Sequence, residues 1–227
     1  MDSLVWLASC LEQGRTAIAP ALVPPGQRKR LETFRQMGAL TQVRAGAVIC
    51  PLCEAHGVEV IAADKAVCDD CGPVELTTEH LRRLTPDGDW LRRRMAQALG
   101  LSDEPAWALV PERVWRLGDI GRSGQRRRVL FGQRLGDVST QRTLLSLWPT
   151  HIGEIPTILV TTTAPERVYL PSVEVQLVPL PAAFRTHGNG LVADEAVWAG
   201  LQFALPPLAG LSRHGPFAHD FSDVLLS

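Results

Sequence analysis

At 227 residues and 45% hydrophobic content, the chain can form one large domain or two small ones. Its 23 basic and 24 acidic residues leave a formal charge of −1. That excludes a protein coated in positive charge and confines any nucleic-acid site to a local patch. No apolar run approaches the ~20 residues that a bilayer span needs. Met1-Asp2-Ser3-Leu4-Val5 carries neither the basic region nor the apolar stretch of a signal peptide, so a cytoplasmic protein with no membrane partner is expected.

Residues 3–13 are expected to form a helix, because Leu4, Leu7 and Leu11 recur on one face and Gly14 can stop it. Cys10 lies among these apolar residues and reads as a small buried hydrophobe. A short apolar segment follows, Thr16 to Leu22, with Pro20 inside it; Pro24-Pro25-Gly26 is a turn. Residues 27–38 then predict a second helix ended by Gly38. Leu31, Phe34 and Met37 form its apolar stripe, and the opposite face carries Arg28, Lys29, Glu32, Arg35 and Gln36. Arginine on a helix can meet phosphates or guanine in a major groove, while Glu32 and Gln36 are the types that read cytosine and adenine. An ordinary solvated face is the structural alternative. Strands are expected over 39–43, 47–49 and 58–61.

On either side of the last of these strands lie Cys50-Pro51-Leu52-Cys53 and Cys68-Asp69-Asp70-Cys71. A two-residue gap lets one tight turn aim two thiolates at a point, and two such turns supply the corners of a tetrahedron, which suits Zn2+. Four thiolates close the coordination sphere, so the metal would be structural. Two disulfides, idle thiols or a redox pair are the competing readings. His56 is a further candidate ligand or a solvated turn residue.

The order helix, short segment, turn, basic helix, strand pair over about residues 3–76 resembles a winged helix-turn-helix carrying a four-cysteine zinc ribbon at about 47–75. The resemblance implies that the basic helix is the recognition helix, with Arg28, Lys29, Glu32, Arg35 and Gln36 meeting double-stranded DNA.

Residues 77–100 are read as two helices, the first marked by Leu76, His80, Leu81 and Leu84. Arg82, Arg83 and Arg92 to Arg94 decorate them, either as added phosphate contacts or as a solvated surface. Ser102-Asp103-Glu104-Pro105 is the expected boundary. The chain thus divides into 1–101, a winged-helix-like module with its ribbon, and 102–227, a small α/β domain.

In that second part, 107–110, 114–117 and 128–135 are expected strands, the last two joined by a glycine-rich tip around Arg122. Ser139 is the expected cap of a helix ended by Pro149; strands are predicted over 157–163 and 173–177, and a helix over 194–203. The order is reminiscent of restriction-nuclease-like folds, which implies Asp119 and Glu174-Val175-Gln176 as metal-holding carboxylates. No lysine follows Lys65, which points to a degenerate, inactive version, and no catalytic residue is assigned. No nucleophile-elbow, phosphate-loop or dinucleotide motif is present. His214, His219 and Asp220 could hold a metal or belong to a loose tail.

The fold class expected is therefore mixed, α+β and α/β. The expected function is sequence-dependent duplex DNA binding, as a transcription regulator or the DNA-binding subunit of a mobile-element or defence system. The second domain would serve dimerisation, partner contact or effector sensing, with a homodimer or a protein partner. A nucleic-acid-processing enzyme and a protein-assembly adaptor are the alternatives.

Overall fold

The computed structural model describes residues 3–14, 17–20, 23–101, 106–121, 126–153, 155–171 and 174–203. The expected boundary at Ser102–Pro105, the hairpin tip around Arg122 and the tail residues His214, His219 and Asp220 lie outside the described residues. The fold is mixed α+β, and among the described residues no helix is long and apolar enough to cross a membrane.

Two compact units emerge: Arg15–Asp87, and Met1–Gly14 with Gly88–Ser227. The first helix, α1 (Ser3–Glu12), therefore groups with the later residues rather than with the cysteines. So does the segment after Asp87, which the sequence places in the first domain.

The cysteine-bearing unit contains α2 (Pro25–Gln36), β1 (Leu40–Arg44), β2 (Ala47–Ile49), β3 (Gly57–Glu59), β4 (Lys65–Cys68), β5 (Gly72–Glu75), the single turn α3 (Thr78–Leu81) and β6 (Arg82–Pro86). Helix α2 starts on Pro25, whose missing N–H costs nothing at a first helical position. It buries Leu31 and Phe34, and Met37 at its C-terminal cap is buried too. Gly38 at φ +77° then turns the chain.

Residues 82–86, expected as helix, are a strand. They pair antiparallel with β1, from Leu40 opposite Pro86 to Arg44 opposite Arg82. The spacing of His80, Leu81 and Leu84 fits a helix locally, but the backbone of β1 offers partners that a helix would leave unused. Thr77 caps α3 through a reciprocal bond with His80, and one turn is all the sequence allows before the strand begins. The expected strands at 39–43 and 47–49 do not pair with each other, since β2 pairs with β3. Within the expected 16–22 segment, Ile18 exchanges two backbone hydrogen bonds with Leu84, at 2.7 and 2.9 Å. That chain is extended at Ile18.

The second unit holds α1, α4 (Gly88–Ala98), β7 (Trp107–Val110), β8 (Val114–Ile120), β9 (Arg127–Gly132), α5 (Val138–Leu147), β10 (Thr157–Thr161), β11 (Val175–Pro179), α6 (Leu180–Ala183), the hairpin β12 (Phe184–His187) and β13 (Gly190–Ala193), and α7 (Glu195–Phe203). Five strands form one sheet in the order β11-β10-β9-β8-β7. β7 to β9 make an antiparallel meander, and α5 then crosses to β10, which runs parallel to β9 and to β11. Leu130, Leu135, Leu144, Trp148, Ile152 and Leu159 are among the buried residues between the sheet and α5. Asp137, not Ser139, caps α5: its carboxylate accepts from the Ser139 N–H at 3.1 Å, and the bonds from Ser139 and Thr140 hold its carboxyl below its ordinary range. Past α5 the chain makes one π-helical turn, Trp148–Ile152.

Glu12 explains why α1 belongs here. Its Oε2 accepts from the Arg134 N–H at 2.8 Å, the Thr162 hydroxyl at 2.9 Å and the Thr163 hydroxyl at 2.8 Å. One carboxylate thus ties the helix to the loops at the ends of β9 and β10. Leu4 and Leu7 are fully buried on the same helix, and Cys10 is buried as expected.

Asp119 is equally committed. Its two oxygens accept from Arg116 at 3.1 Å and from Arg128 at 3.2 Å, and Arg128, almost fully buried, also donates to the carbonyls of His151 and Ile152. Removing one partner from such a pair strands a buried charge. Asp119→Ala is therefore expected to lower unfolding free energy by about 3 kcal/mol, read from urea denaturation. Asp119→Leu combined with Arg128→Met should recover most of that loss.

Candidate metal centre

Each pair of cysteines sits at the end of a short hairpin. Strand alternation places Val48, Ala66 and Cys68 inside and Ile49 and Val67 outside, and Cys50 continues the inner face of β2. The first turn is closed by the Cys50 N–H donating to the His56 carbonyl at 2.8 Å and the Glu54 N–H donating to the Cys50 carbonyl at 2.9 Å. The two turns share one device: the residue directly after the second cysteine has a left-handed backbone, Glu54 at φ +54° and Gly72 at φ +74°. The second turn meets that need with glycine; the first does so with a strained glutamate.

All four Sγ atoms lie within 4.8 Å of one another, with Cys50 and Cys68 buried and Cys53 and Cys71 partly so. The Cys53 and Cys68 sulfurs are 3.8 Å apart. Sulfurs at the corners of a tetrahedron around a metal at ~2.3 Å would stand about 3.8 Å apart. Two disulfides would instead draw the sulfurs into separate pairs at ~2 Å. The cluster is compatible with one bound metal ion, as the spacing of the cysteines leads one to expect.

The thiols are not equivalent. The backbone N–H groups of Ala55 and His56 point at the Cys53 sulfur and hold its thiol down at about 6. Burial, and then the neighbouring sulfurs, push Cys71 up to about 12. His56 does not complete the set as a close ligand. Its Nδ1 stands 3.8 Å from the Cys53 sulfur, 3.9 Å from Cys68, and 3.3 Å from the Asp70 carboxylate of the opposite turn. It therefore bridges the two turns from outside the sulfurs.

The core beneath the cluster is small. Val48, Val58, Ala66, Val74, Leu76 and Leu81 surround the cysteines, with no large aromatic among them. Two hairpins of three- and four-residue strands bury too little apolar surface to offset their chain entropy unaided. A metal held by the four sulfurs would supply the missing stabilisation.

The five residues expected to meet DNA lie on α2 but do not act as one free set. Arg35 donates to Glu32 at 2.6 and 2.8 Å, and Gln36 donates to Glu32 at 3.0 Å. The Arg35 hydrogen bond comes first among the causes that lower the Glu32 carboxyl to about 2. Any contribution of this exposed pair is complete above the ordinary carboxylate value of 4.5 and fades as the pH falls towards 2. Arg28 donates to the Val23 carbonyl at 3.0 Å, holding the turn before the helix. Lys29 is exposed.

A charge asymmetry within this unit goes unremarked in the helix-wheel reading. Residues 45–81 carry Glu54, Glu59, Asp64, Asp69, Asp70, Glu75 and Glu79 against Lys65 alone. The flanking segments carry Arg28, Lys29, Arg30, Arg35, Arg44, Arg82 and Arg83 against Glu32 and Asp87. Pairing of β1 with β6 joins Arg44 to Arg82, and Arg82 acts electrostatically on Glu32. A segment-by-segment charge tally would have shown the polarity; only the strand pairing shows that its basic parts meet.

The carboxylates proposed for a nuclease are not brought together. Asp119 is on β8 and Glu174 directly precedes β11, with β9 and β10 between them. Three strand spacings amount to about 14 Å, too far to share one ion. Opposite Asp119 on β9 stands Arg128 rather than an acid.

No protein family, curated protein or solved structure matches this chain.

Two measurements check the centre. Elemental analysis should find one divalent metal per chain, and Cys68→Ser should lose it and unfold Arg15–Asp87 while α1 and the five-stranded sheet stay folded by hydrogen exchange. Gly72→Ala meets open space but keeps the strained backbone. It should destabilise the metal-bound unit by about 1–2 kcal/mol, whereas Glu54→Gly should stabilise it by up to about 1 kcal/mol, both read as shifts in thermal midpoint.

Proposed function

We propose that residues 23–87 form a zinc-ribbon-braced module that binds duplex DNA. The observation that carries this reading is the convergence of four thiols, a donor set that selects Zn2+ among abundant divalent metals and leaves no open position for catalysis. Zinc thereby serves as scaffold. Helix α2 takes the part that the recognition helix has in a winged helix-turn-helix, supported by the paired strands β1 and β6.

Charge polarity supports that orientation. Phosphates are attracted by the arginine-rich half formed by α2, β1 and β6, and repelled by the acidic cysteine hairpins. Lys29 and the guanidinium of Arg28 serve the backbone. Glu32, Arg35 and Gln36 form a preassembled cluster whose exchange of partners on binding would give sequence dependence. The second unit contributes dimerisation or partner contact.

The test is a mobility-shift series with a mixed-sequence duplex at rising salt. Affinity should fall linearly on logarithmic axes, and Lys29→Glu should weaken binding and reduce the slope by about 1 without changing zinc content or thermal midpoint. Glu32→Gln, which releases Arg35, should tighten non-specific binding. Salt-independent binding, or none with full zinc occupancy, would overturn the proposal.

A further inference from the structure

Six tryptophans are present, and they divide sharply. Trp6, Trp90, Trp115, Trp148 and Trp198 are at most 7% exposed, whereas Trp107 is 52% exposed. Trp107 begins β7, the edge strand of the five-stranded sheet. Exposure alone implies no partner, but an indole offers a large flat face on which another ring can stack.

The ring is held in place. His151, from the π-helical turn after α5, meets it at 5.3 Å between centroids in a T-shaped contact of 76°. His151 is itself anchored, because its backbone carbonyl accepts from buried Arg128 at 3.2 Å. The platform is therefore pre-organised, which lowers the entropic cost of a ligand.

The surroundings are cationic. Trp107 stands directly opposite Arg116 in the β7–β8 register, so the two side chains share a face. Arg116 bonds Asp119 through one amino group at 3.1 Å and makes no other side-chain hydrogen bond among the described residues. The Arg116 side chain is 34% exposed. Asp119 answers two guanidiniums, those of Arg116 and Arg128, so the cluster keeps one net positive charge. An aromatic platform beside a partly open arginine has the two features that bind an unpaired nucleotide: a face for the base and a cation for the phosphate. An apolar protein segment would leave that charge unanswered.

We propose that Trp107 and Arg116 form a nucleotide-binding site, with a nucleobase stacked on the indole and its phosphate paired with the guanidinium. The site is independent of the duplex-binding module and uses a different unit of the chain. Asp119 and His151 act as positioning residues.

The full-length, zinc-loaded protein is titrated with a short oligothymidylate and, separately, with thymidine monophosphate, following the heat of binding by calorimetry, a readout that does not depend on the indole. Saturable binding is expected. Trp107→Ala should weaken binding roughly 5- to 100-fold, and Trp107→Phe, which keeps an aromatic face, should restore most of it. Tighter binding of the oligomer identifies a single strand as the source of the nucleotide, and equal binding identifies the free nucleotide; both sustain the site. No saturable binding, unchanged affinity in Trp107→Ala, or a phenylalanine variant no better than alanine would overturn it. Trp107→Ala should leave duplex binding intact and Lys29→Glu should leave oligothymidylate binding intact, so either proposal can fail without the other.

Discussion

Convergence of four sulfurs within one small volume is the constraint on which the Arg15–Asp87 unit depends. The cysteine hairpins are short, and the core around them is assembled from Val, Ala, Leu and the cysteines themselves, without the aromatic that α2 contributes elsewhere in the unit as Phe34. An ion bound there would replace missing hydrophobic surface with coordinate bonds, and its affinity would become folding free energy. The left-handed residue after each second cysteine reflects the same requirement, because the chain must reverse tightly enough for both sulfurs to face one point. At Glu54 that need overrides the ordinary backbone preference of a non-glycine residue.

The same unit separates its charges. Acidic hairpins carry the thiols, and arginine-rich helix and strands lie on either side of them in sequence. The pairing of β1 with β6 closes the basic segments into one body. If phosphate is the partner, the metal site positions the basic half and is itself kept away from the ligand by its own charge. That would differ from a ribbon that touches nucleic acid directly, and would make the role of a bound metal mechanical.

The second unit is organised by two carboxylates that serve structure. Glu12 gathers three donors from the ends of β9 and β10, and Asp119 gathers two arginines. Each converts a long-range contact into charge-assisted hydrogen bonds. In the sequence, Asp119 is only a candidate metal-holding carboxylate implied by the resemblance to restriction-nuclease-like folds. Its neighbours point to a structural role: each oxygen already accepts from a guanidinium, and no second acid stands opposite it on β9. The half-exposed Trp107 on the edge strand β7 is packed on one side against His151 and open on the other.

Much of the local order was legible in the residues themselves. The cysteine spacing alone pointed to a single four-sulfur site, because two turns of fixed length can aim four thiols at one point. The apolar stripe of Leu31, Phe34 and Met37 fixed the helix around them, and short apolar runs bounded by turn signals placed β7 to β11 nearly where they lie. Partnership between distant segments was not legible. Residues 82–86 carry helical spacing but become a strand because β1 lies waiting across the chain. Residues 3–12 read as the start of the cysteine module, yet Glu12 finds its donors more than a hundred positions later. Local pattern is a property of neighbours in sequence, so it survives in the string of letters. Which segments satisfy one another's backbone and charge is settled only when the chain is closed, and that decision belongs to the tertiary structure.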